Sequence, residues 1–282
     1  MIDHSSQAGI PEGTTITVLT RETPDSTGLA TRQVLALLET PDMLRPVFQP
    51  IVSLATGSIV GFEGFSRFMP APRRSPDAWF AEATRLGLGH ELQAHALRRI
   101  LGAALDAGLP DGTFLSLNVS PRFLAHAAVV DALAPADPSR LVVELTEEEE
   151  VTDYRALRRA MAPYLRAGAR FGVDDAGAGF ASMRHVIELQ PAFVKLDAYL
   201  IRGMRNRQSL RAFLRAINDF TTEIGATLVA EGVEEASDLA VLAETGFPIL
   251  VQGFAIARPG APWPAASPLA IQAWSAARRS GR

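Results

Sequence analysis

Polar side chains follow short apolar segments at widely separated points of the sequence. They are Glu63, Asn118, Glu144, Asp174, Asp175, Lys195, Glu231 and Gln252. Carboxylate and amide oxygens are hard ligands that suit Mg²⁺ or Mn²⁺. Carboxylates packed together without a cation would repel one another, and their pKa values would rise. If the fold brings these groups together, the sequence therefore predicts a site for divalent cations.

Strand-like and helical segments alternate along most of the chain, a pattern typical of a mainly parallel sheet covered by helices. The predicted strands are Val47–Leu54, Ile59–Phe68, Thr113–Val119, Arg140–Leu145, Arg170–Asp174, Phe193–Leu196, Thr227–Ala230 and Ile249–Gly253. The predicted helices are Leu29–Leu38, Asp77–Leu86, Glu91–Ala107, Arg122–Leu133, Asp153–Ala167, Met183–Leu189, Asn206–Ile224 and Ala236–Glu244.

Eight strands with intervening helices favour a closed α/β barrel, with an open doubly wound sheet as the alternative. Only residues 55–58 separate the first two strands, which is too short for a helical crossover, so this pair is predicted to be an antiparallel hairpin. In a parallel barrel the carboxyl ends of the strands meet on one face. The barrel therefore predicts that the polar residues at the strand ends share one pocket.

A single acid after a strand is more often a helix cap or a solvated loop residue than a metal ligand. Glu148, Glu149 and Glu150 fit such a charged first turn of a helix, with Thr146 as its cap. The joint pattern is harder to explain in this way, because acids and amides occupy equivalent positions on six of the eight strands and a lysine does so on a seventh. We therefore interpret the set as a site and residues 148–150 as part of a helix.

The glycine-rich run from Asp174 to Gly179 lacks the lysine-serine pair of a P-loop and the glycine spacing of a dinucleotide-binding fingerprint. Its glycines fit either a mobile loop or a simple turn from strand to helix, and the sequence leaves both open. The five histidines show no metal-ligand spacing, and none is assigned a role.

Composition excludes several classes of protein. With 48% hydrophobic and 21% charged residues, the chain can bury a sizeable core. A net charge of −4 provides no broad basic surface for a nucleic-acid polymer. The absence of cysteine excludes disulfides, zinc-thiolate sites and cysteine nucleophiles. No apolar stretch is long enough for a bilayer and no signal peptide is evident, so we expect a cytoplasmic protein without a membrane partner.

Several short motifs occur in a fixed order between about residues 48 and 259. They are Phe48-Gln49-Pro50-Ile51-Val52, Glu63-Gly64-Phe65-Ser66-Arg67, Leu117-Asn118-Val119-Ser120-Pro121, Glu144-Leu145-Thr146-Glu147, Asp174-Asp175-Ala176-Gly177-Ala178-Gly179, Val194-Lys195-Leu196-Asp197, Ala230-Glu231-Gly232-Val233-Glu234 and Val251-Gln252-Gly253-Phe254. In these motifs the chain resembles the EAL-domain family of cyclic di-GMP phosphodiesterases.

The resemblance implies a TIM-like (β/α)8 barrel with an antiparallel first strand, and metal-dependent hydrolysis of cyclic di-GMP to linear pGpG in bacterial signalling. It implies two divalent cations, Mg²⁺ or Mn²⁺. One cation would be held by Glu63, Asn118, Glu144 and Asp174, and the other by Asp174, Asp175 and Glu231. The other implied roles are catalysis for Lys195, Glu147 and Gln252, and substrate contact for Gln49 and Arg67.

Two motifs depart from the family pattern. The signature Glu-Ala-Leu is replaced by Glu63-Gly64-Phe65, and Ala176 and Ala178 replace the usual phenylalanine and threonine of the glycine-rich loop. The predicted metal ligands are kept, whereas the residues next to them change. Such changes can weaken a metal site. The alternative function is therefore a catalytically weakened module that binds cyclic di-GMP or another protein.

The domain organisation predicted from the sequence has three parts. They are an N-terminal extension at residues 1–28, an EAL-type barrel at 29–265, and a C-terminal helix and tail at 266–282. Whether the protein forms a homodimer or binds a signalling protein stays open.

Overall fold

The computed structural model describes residues 24–69, 74–146, 151–177 and 180–268. In this part of the chain eight strands form a closed barrel in sequence order. The strands are β1 (Leu44–Ser53), β2 (Ile59–Phe68), β3 (Phe114–Val119), β4 (Leu141–Leu145), β5 (Arg170–Ala176), β6 (Phe193–Leu196), β7 (Thr227–Ala230) and β8 (Leu250–Val251). The predicted α/β barrel is confirmed, and the open doubly wound sheet is excluded.

Strand β1 runs opposite to the rest of the barrel. It pairs antiparallel with β2, where Gln49 faces Glu63, and antiparallel with β8, where Val52 faces Val251. The other neighbouring pairs are parallel. The short connection after Ser53 explains this direction, because it returns the chain without a crossover helix. The predicted antiparallel first strand is confirmed.

The helices alternate with the parallel strands. They are α1 (Pro24–Glu39), α2 (Pro76–Arg85), α3 (Gly89–Ala107), α4 (Ala127–Leu133), α5 (Tyr154–Ala167), α6 (Phe180–Leu189), α7 (Ala198–Ile201), α8 (Gln208–Glu223) and α9 (Ala236–Glu244). No helix in the described ranges is both long and apolar enough to cross a bilayer.

Three helical segments differ from the sequence prediction. Helix α1 begins at Pro24, five residues inside the predicted N-terminal extension. The helix predicted from Arg122 is divided, because His126 has extended backbone angles and its side chain accepts the N–H of Ala128 as the cap of α4. Helix α7 was not predicted, because four residues are too few to show a helical period. Its cap is Asp197.

An apolar layer fills the barrel interior beneath the polar strand ends. It consists of Ile51, Phe114, Val142, Phe193, Val229 and Leu250. Side chains two residues apart on a strand point to the same face. The inward positions that follow are Ser116 on β3, Glu144 on β4, Lys195 on β6 and Glu231 directly after β7. The same periodicity that fills the core therefore places the polar groups above it.

Gly64 lies where helix α3 approaches strand β2 closely. A Cβ atom placed on Gly64 would overlap Ile100 Cγ2 and would lie 3.2 Å from Leu117 Cδ2. The glycine next to Glu63 is thus matched by a β-branched residue on α3. The replacement of the family alanine by glycine is accommodated by this packing.

We predict that Gly64→Ala destabilises the protein by about 1–3 kcal/mol, because the added methyl group overpacks this contact. The double variant Gly64→Ala/Ile100→Leu should recover most of the loss, since leucine has no Cγ2 branch. Chemical denaturation would measure both. Gly102→Ala is the matched control, because a Cβ on Gly102 has nothing within 4 Å. Equal stability of Gly64→Ala and the wild type would contradict the proposed packing.

Candidate metal centre

The ammonium group of Lys195 lies among four carboxylates from four other parts of the barrel. Its Nζ is 3.0 Å from Glu63 Oε2, 2.7 Å from Glu144 Oε2, 3.2 Å from Asp174 Oδ1 and 2.6 Å from Glu231 Oε1. Lys195 and Glu63 are each 1% exposed, and Glu144 is 2% exposed. The structure therefore brings together the acids that the sequence predicted to meet.

Neutral side chains orient the two most deeply buried acids. Asn118 Nδ2 donates to Glu63 Oε1 at 2.7 Å, and Gln252 Nε2 donates to Glu63 Oε2 at 2.9 Å. Ser116 Oγ donates to Glu144 Oε1 at 2.5 Å. The sequence analysis did not assign Ser116 to the site. Its inward position between Phe114 and Asn118 was the available signal.

Gln49 and Gln252 form a buried chain of amides behind Glu63. Gln252 Nε2 also donates to Gln49 Oε1 at 3.2 Å, and Gln49 Nε2 donates to the carbonyl oxygen of Ala257 at 2.8 Å. Both ends of the Gln49 amide are thus engaged within the protein, although Gln49 also lines the cavity described below. Its predicted contact with substrate stays a prediction.

Two overlapping groups of three carboxylates have the geometry of cation sites. Ligand oxygens of Glu63, Glu144 and Asp174 lie within 4.8 Å of one another, and so do those of Asp174, Asp175 and Glu231. Asp174 belongs to both groups, as expected for a residue that bridges two ions.

The amide oxygens next to these acids also fit metal binding. Asn118 Oδ1 and Gln252 Oε1 are buried and have no hydrogen-bond partner within the described ranges. A buried acceptor without a partner is costly, and a bound cation or its water would satisfy it. The oxygen-only donor set suits Mg²⁺ or Mn²⁺.

Asp175 adopts a backbone conformation that is unusual for a residue with a side chain. Its φ is 50°, in the left-handed region, and its N–H donates to Asp174 Oδ1 at 3.0 Å. This conformation costs free energy and persists only when neighbouring structure fixes it. The backbone conformation of Asp175 therefore depends on the elements on either side of it.

Ala176 and Gly177 show how the altered glycine-rich loop packs. Ala176 is fully buried and pairs with Leu196 of β6. A Cβ on Gly177 would overlap Leu200 Cδ1, so a leucine of α7 fills the space beside the loop. Ala178 and the predicted catalytic residue Glu147 lie outside the described residues, as do Glu148, Glu149 and Glu150.

The excess of negative charge shifts the protonation of the cluster. Burial, together with repulsion from Glu63 and Asp174, raises the pKa of Glu144 to about 8, although Lys195 lowers it. Burial and the neighbouring acids also raise the pKa of Glu231 well above its usual value, against the effect of Lys195. Burial alone would lower the pKa of Lys195, but the four carboxylates together raise it well above its usual value. Lys195 is therefore a cation in this environment.

A cavity of about 870 Å³ opens over the carboxylates. Its wall includes the exposed residue Arg67 as well as Arg85 and Arg122, which add positive charge beside the acidic floor. Glu234 and Phe254 also line it. Apart from Arg67, the sequence analysis gave these residues no role, because nothing in the local pattern shows which side chains border a cavity.

The raised pKa of Glu144 predicts that stability in the absence of divalent ions falls with increasing pH. The unfolded chain releases this proton near pH 4.5, whereas the folded protein keeps it until about pH 8. This contribution is therefore fully present below pH 4.5 and is lost between pH 4.5 and about 8. We expect the melting temperature of chelator-treated protein to fall by at least about 3 °C between pH 5 and 8.

Two controls distinguish the cluster from other titrating groups. Glu144→Gln should flatten the pH dependence, because it removes one titrating acid, and Mn²⁺ should reduce the fall in the wild type. Circular dichroism melts would measure both. An unchanged pH dependence in Glu144→Gln would contradict the assignment.

Comparison with known proteins is consistent with this geometry. The EAL domain model matches residues 32–259. The bifunctional diguanylate cyclase/cyclic di-GMP phosphodiesterase MucR of Pseudomonas aeruginosa is 27% identical over 224 residues, which cover 75% of this chain and 32% of MucR. The chain spans about a third of the length of the curated relatives it matches.

Solved structures share the barrel. The manganese/cy-diGMP complex of Klebsiella pneumoniae BlrP1 is 28% identical, with a TM-score of 0.68, over 77% of this chain and 56% of BlrP1. The c-di-GMP-bound form of a standalone EAL protein from Vibrio cholerae O395 is 24% identical and has the same fold, with a TM-score of 0.68, over 81% of this chain and 97% of that protein. The family match covers most of the chain, and the barrel agrees with it. The protein belongs to the EAL domain family.

Proposed function

We propose that this chain hydrolyses cyclic di-GMP to linear pGpG and uses two divalent cations, Mg²⁺ or Mn²⁺. The main support is the position of Asp174, whose carboxylate belongs to both groups of three acids. A shared carboxylate between two clusters is the arrangement that a two-metal hydrolase needs. The phosphodiesterase name of MucR and the manganese/cy-diGMP complex of BlrP1 also support the proposal.

The donor set divides between the two ions. Glu63, Asn118, Glu144 and Asp174 would hold one cation, and Asp174, Asp175 and Glu231 would hold the other. When bound, such cations stabilise negative charge on phosphate oxygens and make water more acidic. The protein contributes the fixed geometry, since Ser116 and Gln252 hold the buried carboxylates in place.

Lys195 is best suited to an electrostatic role. Without bound cations the surrounding carboxylates raise its pKa, so its ammonium keeps its proton in this arrangement. It can orient the carboxylates and donate a hydrogen bond to an oxygen of substrate or water. Gln252 Oε1, which is buried and has no partner in the part of the chain that the structure describes, is an acceptor for a water in the same place.

The cavity above the acids is large enough for a dinucleotide, since ligand pockets commonly have about 300–1,000 Å³. Arg67 and Arg122 on its wall can bind phosphate oxygens or base edges, whereas Arg85 forms an ion pair with Glu82. We propose Arg67 as a substrate contact, because its exposed side chain lines the cavity above the acids.

A receptor without efficient catalysis is the second candidate, because the glycine-rich loop departs from the family pattern. The packing of Gly64 against Ile100 supports the active enzyme, since the smaller residue at position 64 leaves no gap there. Calorimetry that shows cyclic di-GMP binding without turnover would favour the receptor.

The direct test is an assay of purified protein with cyclic di-GMP, with and without Mn²⁺ or Mg²⁺. We expect pGpG to form only when a divalent ion is present. Failure to linearise the substrate under conditions that support a known EAL phosphodiesterase would refute the proposed activity.

We predict that Glu63→Gln and Asp174→Asn each lower turnover at least about a hundredfold, because each removes a charged ligand with little change in shape. Metal content and circular dichroism would be measured on the same samples. Asp106→Asn, at the exposed end of α3, is the control and should retain full activity. Wild-type turnover and metal content in Asp174→Asn would refute the proposed site.

A further inference from the structure

A buried tyrosine–histidine pair joins two helices beside the metal centre. Tyr154 Oη and His185 Nδ1 are 2.7 Å apart, and the two rings meet edge to face with centroids 5.5 Å apart. His185 is 1% exposed and Tyr154 is 7% exposed. Neither residue belongs to the proposed metal centre.

Tyr154 and His185 lie on the two helices that follow the strands of three proposed metal ligands. Tyr154 is the first residue of α5, which follows the strand that contains Glu144. His185 belongs to α6, which follows the strand that contains Asp174 and Asp175. In a barrel of this type, helices begin at the face where the strands end. The pair therefore connects two neighbouring units that together supply three of the proposed ligands.

The contact between Tyr154 and His185 is directional. His185 Nε2 is buried and has no hydrogen-bond partner among the described residues, so Tyr154 provides the hydrogen bond that this part of the structure gives to the ring. A buried polar ring without any partner is unfavourable. The Arg184 guanidinium lies 5.1 Å from the centre of the Tyr154 ring and covers it. These contacts limit how α6 can rotate or slide against α5.

The restriction on the movement of α6 matters because the backbone at Asp175 is strained. Its left-handed φ of 50° must be maintained by the structure around it. Helix α6 begins only five residues later, at Phe180. Helix α6 also packs against β5, so a displacement of α6 would disturb the strand that holds Asp174 and Asp175.

We infer that Tyr154 and His185 are positioning residues for the metal centre, because their hydrogen bond fixes α6 against α5 and so holds Asp174 and Asp175 in place for divalent cations. The inference rests on the proposed function in one respect, since it takes the same carboxylates to be the cation site.

The test is Mn²⁺ binding by calorimetry to Tyr154→Phe, which removes only the hydroxyl oxygen. We expect the Mn²⁺ affinity to fall about tenfold, as is common when a residue that supports a ligand is lost. A purely structural role would lower the melting temperature and leave the Mn²⁺ affinity unchanged.

Arg158→Ala is the matched control. Arg158 Nη1 pairs with Glu188 Oε2 at 3.1 Å and donates to the Glu188 carbonyl oxygen at 2.8 Å, an exposed contact one turn further along the same two helices. Loss of this contact should change the Mn²⁺ affinity much less than Tyr154→Phe does, because exposed ion pairs contribute little.

Substitution of the histidine provides an independent variant. Asn carries an amide nitrogen near the position of His Nδ1, so His185→Asn should retain more Mn²⁺ affinity than His185→Ala. If Tyr154→Phe does not fold, the comparison of the two His185 variants tests the inference.

Wild-type Mn²⁺ affinity in folded Tyr154→Phe, or equal affinity of the two His185 variants, would overturn the inference. The titration needs no turnover, so a wild-type protein that binds Mn²⁺ but does not hydrolyse cyclic di-GMP would refute the proposed function alone. A wild-type protein that binds no Mn²⁺ would overturn both.

Discussion

Repulsion among buried carboxylates is the constraint on which the site depends. Four acids lie within 3.2 Å of one lysine ammonium, and a single positive charge cannot balance them all. The raised pKa values of Glu144 and Glu231 reflect this excess. Taking charges out of water is costly unless they are paired and hydrogen-bonded. Divalent cations would supply the missing charge and would also satisfy the free oxygen of Asn118.

The barrel makes such a cluster possible by separating two layers of inward-facing side chains. Apolar residues such as Phe114 and Val142 fill the interior, and the next inward positions on the same strands are polar. The apolar layer excludes water from below, which strengthens electrostatic interactions in the polar layer above it. On each of these strands, one inward-facing residue packs in the core and the next inward-facing residue contributes to the site.

Close packing around the cluster accommodates the residues that differ from the family pattern. Gly64 is matched by Ile100 of α3, and the altered loop residue Ala176 pairs with Leu196 of β6. Ala176 is completely buried, so a phenylalanine there would have to displace core residues. The backbone at Asp175 is strained, and the contacts between α5 and α6 hold the chain near it. Local changes in sequence are thus compensated by residues distant in the chain.

The sequence by itself determined the order of strands and helices, the antiparallel first strand and the candidate ligands, because side-chain period and short motifs are local properties. The tertiary structure decided which residues from remote segments of the chain lie in contact. It alone showed that Lys195 contacts four acids, that Ser116 supports Glu144, and that Tyr154 meets His185. It also divided the helix predicted from Arg122, since the His126 cap depends on backbone angles that the apolar pattern does not report. Local patterns predict which face a residue occupies, whereas only the closed barrel sets which residues from different strands touch.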